Sequence, residues 1–326
     1  MDQSEQTAVG YLPEGVDGQS VGRSTDHSIA GGDVRIFTVR VKESGVEEIP
    51  HVAPPPRPRG VVLPLRHARS IKEEILSRPT FFEHFDGVGV DWRTLHERER
   101  AALQAEAGWM RRQGLRVYVD LSSGVDLYPT LRLIDNVAAD HAASMAAITD
   151  VLGKMEILGA RDLILSLHRH PENNFTGGET DAAFEQTLRA LATQAAERQV
   201  TLHLRLAFGK PPWGLGDAGR LLDKVGAPNL RLAVSTALLA SAEPSAESAQ
   251  MLKDKLGLWL VAAPRTDIAG KLWDAHAPIH QAMQAGVVAR WLALAPETPR
   301  LLDAVYADRD EEYLDAVALR RLVEKP

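Results

Sequence analysis

The chain of 326 residues contains no cysteine. That excludes a disulfide framework, a thiolate metal site and a cysteine nucleophile, and it is compatible with the cytosol, where the protein is expected to work. No apolar run approaches the roughly 20 residues needed to cross a bilayer, so no membrane partner is expected. There is no excess of basic residues either. The net charge is −7, which argues against a general nucleic-acid surface. Three motifs are also missing: no phosphate-binding P-loop and no H-E-x-x-H zinc signature occur, and no G-x-G-x-x-G follows the first strand of the main domain.

What is present is a chain with 44% hydrophobic residues, enough for a large core. Its length accommodates one barrel of about 250 residues plus an extension. Residues 1–49 differ from the rest, being rich in Gly, Ser, Asp and Thr, with one clean alternating strand over 33–41. A lone strand has no stability without partners. This segment is expected to be the remnant of a β-sandwich belonging to an upstream domain of a longer protein; the alternative is an arm that pairs with the barrel or with another subunit. Residues 50–59 carry Pro50, Pro54, Pro55, Pro56 and Pro58, the composition of a stiff linker. Residues 60–326 form the main domain.

That domain is organised around residues 158–239. An apolar strand over 163–167 empties into His168-Arg169-His170, a helix over 181–198 follows, and a second strand runs over 200–206. A shorter helix over 217–225 leads to a third strand over 230–236. Strands and helices alternating at this spacing imply parallel strands with crossover helices. Further strands are expected over 60–65, 87–90, 115–119, 258–263 and 290–295. Eight such units fit a closed (β/α)₈ barrel, with ligands at the carboxyl ends of the strands; a doubly wound open sheet is the alternative.

The words Leu158-Gly159-Ala160, a strand ending in His, Ala195-Ala196-Glu197-Arg198-Gln199-Val200 and Pro228-Asn229-Leu230-Arg231-Leu232 together resemble the xylose isomerase-like barrels. The resemblance is clearest over about 90 residues and extends more weakly over 60–322. It implies an α/β fold, sugar or sugar-phosphate isomerase or epimerase chemistry, and a divalent metal held by carboxylates and a histidine. This sequence departs from that pattern: the fifth strand ends in Arg205 where the family has Glu, and the sixth ends in Ser235 where it has Asp. A guanidinium cannot ligate a cation and a hydroxyl is a poor substitute for a carboxylate. No metal and no other cofactor is expected.

The strand ends deliver a rim rich in Arg and His. Four residues are candidates for chemistry: His168, His203, Arg205 and Glu297, the last as the surviving acid near the eighth strand. Arg66, Asp91, Trp92, Asp120, His170, Ser235 and Arg265 are candidates for substrate binding, with Trp92 as a plate on which a sugar stacks. His203 and Arg205 lie two apart and share a face, while Leu202, Leu204 and Leu206 share the other; the polar pair therefore points into the barrel. The buried Arg205 needs an acid, which Asp120, Glu297 or Asp267 would supply. The ligand expected is a small carbohydrate or an anionic sugar derivative. Two functions remain open: a barrel that binds carbohydrate or braces a larger carbohydrate-processing protein, or a metal-independent sugar isomerase, epimerase or lyase using His and Arg at the mouth.

Overall fold

A computed structural model describes residues 7–13, 34–42, 45–48, 60–65, 70–77, 84–121, 131–135, 137–166, 177–206, 214–240, 244–266, 272–281 and 285–324. The chain divides into two units, Met1–Pro55 and Pro56–Pro326.

The first unit is a three-stranded antiparallel sheet in the order β1 (Thr7–Pro13), β2 (Val34–Lys42), β3 (Gly45–Glu48). The strand expected over 33–41 is thus central and has partners on both sides. Neither partner was legible in the sequence. Gly10 and Pro13 interrupt the strand signal of β1, and β3 has only four residues. The proline-rich stretch 50–59 lies outside the described residues.

The second unit is the barrel. Its strands are β4 (Val61–Leu65), β5 (Gly87–Asp91), β6 (Arg116–Asp120), β7 (Asp162–Leu165), β8 (Thr201–Leu206), β9 (Leu230–Ser235), β10 (Leu256–Val261) and, after a hairpin of β11 (Ala263–Thr266) and β12 (Leu272–Ala277), β13 (Arg300–Leu302). They close in the order β4-β5-β6-β7-β8-β9-β10-β13, every pairing parallel. The described helices are α1 (Ile71–Leu76), α2 (Trp92–His96), α3 (Arg100–Arg112), α4 (Ala138–Leu158), α5 (Gly177–Glu197), α6 (Leu215–Val225), α7 (Thr236–Leu239), α8 (Ala246–Lys255), α9 (Ala285–Ala293) and α10 (Arg309–Glu324).

Two-residue periodicity sorts each strand into an outer and an inner face. Leu202, Leu204 and Leu206 join an apolar layer with Leu188, Leu191 and Ala195 of α5. Inside, Val62, Tyr118, Ile164, Ala233, Leu258, Leu260 and Leu301 fill the barrel as a separate cluster. Each fully buried aliphatic side chain contributes about 1.5–3 kcal/mol, so the interior is a packed core and not a channel. One position must stay bare: a Cβ on Gly257 would lie 2.7 Å from the His203 ring.

Local chemistry sets the boundaries. Ser70 Oγ accepts the Glu73 N–H at 3.2 Å and starts α1. Gly159, at φ +73, ends α4 in the left-handed conformation that only glycine adopts without cost. Asn229, in the Pro-Asn-Leu-Arg-Leu word, donates through Nδ2 to Ala192 O at 2.9 Å and Val200 O at 3.0 Å, which ties the end of α5 to the neighbouring strand.

The eighth strand is not where the sequence suggested. Residues 285–293 are helix α9, with Val288, Trp291 and Leu292 buried at helical spacing and Arg290 and Ala293 exposed. The apolar run 291–295 imitates a strand because its inward helical face is dense in large side chains. The true strand, β13, is only Arg300-Leu301-Leu302, too short to announce itself. The seventh strand begins at Leu256, and the β11–β12 hairpin after it was not foreseen.

Candidate active site at the barrel mouth

The carboxyl ends of the strands bring together Asp91, Asp120, Arg205, Ser235 and, immediately after β13, Asp303. The first four are the last or next-to-last residues of their strands. All five are buried. Arg205 Nη2 donates to Asp303 Oδ2 at 2.5 Å, and its Nη1 lies 4.0 Å from Asp120 Oδ2. The acid that Arg205 requires is therefore Asp303, with Asp120 alongside.

His276, at the end of β12, adds an imidazole. Its Nδ1 is 2.9 Å from Asp303 O and 3.1 Å from Asp303 Oδ2. Both neighbours are acceptors, so Nδ1 carries the proton and, in the neutral ring, Nε2 is the acceptor. The backbone of His276 is left-handed, φ +46, which is rare outside glycine and is maintained only where the surroundings over-determine it. Asp91 turns back to its own chain, where Oδ1 accepts the Thr94 N–H at 2.8 Å and caps α2.

The other expected residues fall elsewhere. His203 shares the inward face of β8 with Arg205, as the two-residue spacing requires, but sits one layer deeper. Its Nε2 meets Asp162 Oδ1 at 2.9 Å, at the start of β7, on the floor of the barrel. Arg116 and Tyr118 complete that floor: the guanidinium stands 5.5 Å from the phenol ring and 3.6 Å from Asp162. Burial, then the Asp162 charge, push the Tyr118 phenol well above its ordinary pKa. Trp92 is no stacking plate. It is 9% exposed, belongs to the apolar layer and tilts against His96 at 4.9 Å. Glu297 is exposed in the turn before β13, at the floor end, where it lines a cleft of about 320 Å³ with Asp86 and Arg116. It cannot partner Arg205 from there. Arg265 is exposed on β11. Arg66, His168, His170 and Asp267 lie outside the described residues.

Sequence reasoning missed Asp303 and His276. Asp303 stands at a strand end, as Asp120 does, but the strand was drawn ten residues early. His276 reaches the site through a hairpin whose pairing no local pattern announced.

Among the described residues the donors at the strand ends are a poor match for a divalent cation. Arg205 stands at the end of the fifth strand, and its charge repels a cation by about 4 kcal/mol per unit charge at 4 Å for an effective dielectric of 20. Asp303 is already engaged by that guanidinium and by His276. Among the described residues no group of three or more His, Asp or Glu is placed to hold a metal.

No family model matches the sequence, and no curated protein does. Solved structures match over about four fifths of the chain. The chain is similar to D-allulose 3-epimerase from Methylomonas sp., in complex with D-allulose, at a TM-score of 0.61 and 14% identity over 83% of this chain and 98% of that one. It is similar to 3-keto-D-glucoside 4-epimerase from E. coli at 0.59 and 16%, over 80% and 98%. It is also similar to a xylose isomerase domain protein from Planctomyces limnophilus at 0.54 and 15%, over 83% and 97%. At these identities the likeness is one of fold: the structural neighbours are xylose isomerase-like barrels whose named members include sugar epimerases. Among the described residues no helix is long and apolar enough to cross a membrane.

Proposed function

We propose that the barrel binds a small, neutral carbohydrate at its mouth, with the Arg205–Asp303 pair standing where related barrels hold an ion. The pair itself carries this reading: it is buried, short, and spans the ends of the fifth and eighth strands. Around it stand Asp91, Asp120, Ser235 and His276, polar groups of the kind that bind sugar hydroxyls. Among the described mouth residues three carboxylates face one guanidinium. That balance favours hydroxyl donors over the anionic sugar derivatives that an Arg-rich rim suggested.

A second reading is favoured by one observation, the contact of His276 Nδ1 with Asp303. An imidazole oriented by a carboxylate is a general-base arrangement, and proton transfer beside a sugar carbonyl would need no metal if it served. Calorimetric titration with ketoses and aldoses, with and without chelator, tests the first reading. Binding of at least one sugar, unaffected by chelator, and no one-to-one Mn²⁺ isotherm in the micromolar range are expected. Stoichiometric Mn²⁺ binding that sugar affinity depends on would overturn it. Solvent deuterium appearing at a sugar carbon would establish the second.

A further inference from the structure

Among the described residues outside the mouth, one carboxylate is fully buried. Asp315, on α10, is 0% exposed. Its Oδ1 accepts the His280 backbone N–H at 2.8 Å and contacts His280 Nδ1 at 2.5 Å. Its Oδ2 accepts the Ile279 N–H at 3.0 Å and the Tyr306 hydroxyl at 3.1 Å. Four donors on one carboxylate are more than a helix needs to dock.

The donors come from two segments. Ile279 and His280 follow β12, three and four residues after His276. Tyr306 follows β13, three residues after Asp303. The same two segments are laced together nearer the mouth, where the Val305 N–H donates to His276 O at 2.7 Å and His276 Nδ1 meets Asp303. Asp315 is thus the common anchor of the two strand exits that bring His276 and Asp303 into contact. The left-handed backbone of His276 is uncommon outside glycine and is held by its surroundings, this anchor among them.

We propose that Asp315 is a positioning residue of the mouth: it sets the His276–Asp303 contact from behind, without itself reaching a ligand. This deepens, and rests on, the reading of the mouth as a sugar site. Asparagine at 315 keeps one acceptor oxygen and turns the other into a donor, so the backbone N–H of either Ile279 or His280 loses its acceptor.

The test is a double-mutant cycle on the full chain with a nitrogen-15 readout of the His276 ring. Asp315→Asn is expected to shift the His276 Nδ1 signal in the ligand-free protein and to weaken sugar binding about 10-fold. In a His276→Ala background the same change should cost less than about 2-fold, because its route to the ligand is gone. An unmoved His276 signal overturns the proposal, as does an equal loss of affinity in both backgrounds, which would show Asp315 acting on the whole fold. If Asp315→Asn does not fold, Tyr306→Phe and His280→Ala each remove a donor; either should move the His276 signal, and silence in both overturns the proposal. If no sugar binds the unaltered protein, the reading of the mouth fails, while the ring signal still decides what Asp315 does.

Discussion

At the floor of the barrel His203 meets Asp162 at 2.9 Å, with Arg116 and Tyr118 beside them; at the mouth Arg205 meets Asp303 at 2.5 Å, with His276 and Asp120 beside them. The two clusters use the same chemistry and come in part from the same strand, two residues apart. Their supports differ. The floor is held by the barrel itself: Gly257 leaves room for the His203 ring, and the interior side chains pack above it. The mouth is held from outside, by a hairpin and two strand exits gathered on Asp315. Clusters of this kind stabilise little in net terms, because desolvation offsets attraction. A polar group retained inside the barrel wall alone is therefore architecture, whereas one retained with dedicated external support is the better candidate for binding.

The comparison breaks most visibly at Arg205. Arg205→Met removes the cation and leaves Asp303 and Asp120 buried beside each other. A loss of about 3–5 kcal/mol is expected in urea unfolding, together with loss of sugar binding. An unchanged midpoint would mean that the pair is not buried as described.

A smaller effect is expected at the floor, and it should spare the mouth. Gly257→Ala pushes a methyl against the His203 ring, at a cost of about 1–3 kcal/mol. Combining it with His203→Ala should cost less than the sum of the two single changes, while sugar affinity stays put in the single Gly257→Ala variant. Weakened binding there would show that floor and mouth are coupled through β8.

The smallest effect lies at alkaline pH. The Tyr118 phenol is raised above its ordinary value of 10.0 by burial and by Asp162. Above pH 10 the unfolded chain releases this proton while the folded chain keeps it. The unfolded state then binds fewer protons, and stability falls as pH rises. Tyr118→Phe should flatten that limb of the stability curve and leave neutral pH unchanged in slope. A limb of equal steepness in both proteins would assign it to another group.

Much of the barrel was legible in the chain. Alternation in 200–206 placed His203 and Arg205 inward and three leucines outward, which is what the structure holds, because strand periodicity is a property of the backbone alone. Depth along the barrel was not legible. It depends on strand stagger around the closed sheet, so two residues on one face ended at opposite ends of the interior. Glu297 shows the same limit: it lies just after the expected strand over 290–295 but just before the actual strand Arg300–Leu302, so it changes ends when the boundary moves.

The sequence by itself determined the parallel α/β order and the inward pair on the fifth strand, since each follows from residue type and local spacing. Only the tertiary structure decided which acid meets Arg205, that a histidine from an unforeseen hairpin joins it, and that Trp92 is core. Those outcomes depend on where chain segments far apart in sequence come to rest, with Arg205 and Asp303 separated by 98 positions. Closing the barrel brings them together, and nothing local to either residue encodes the other.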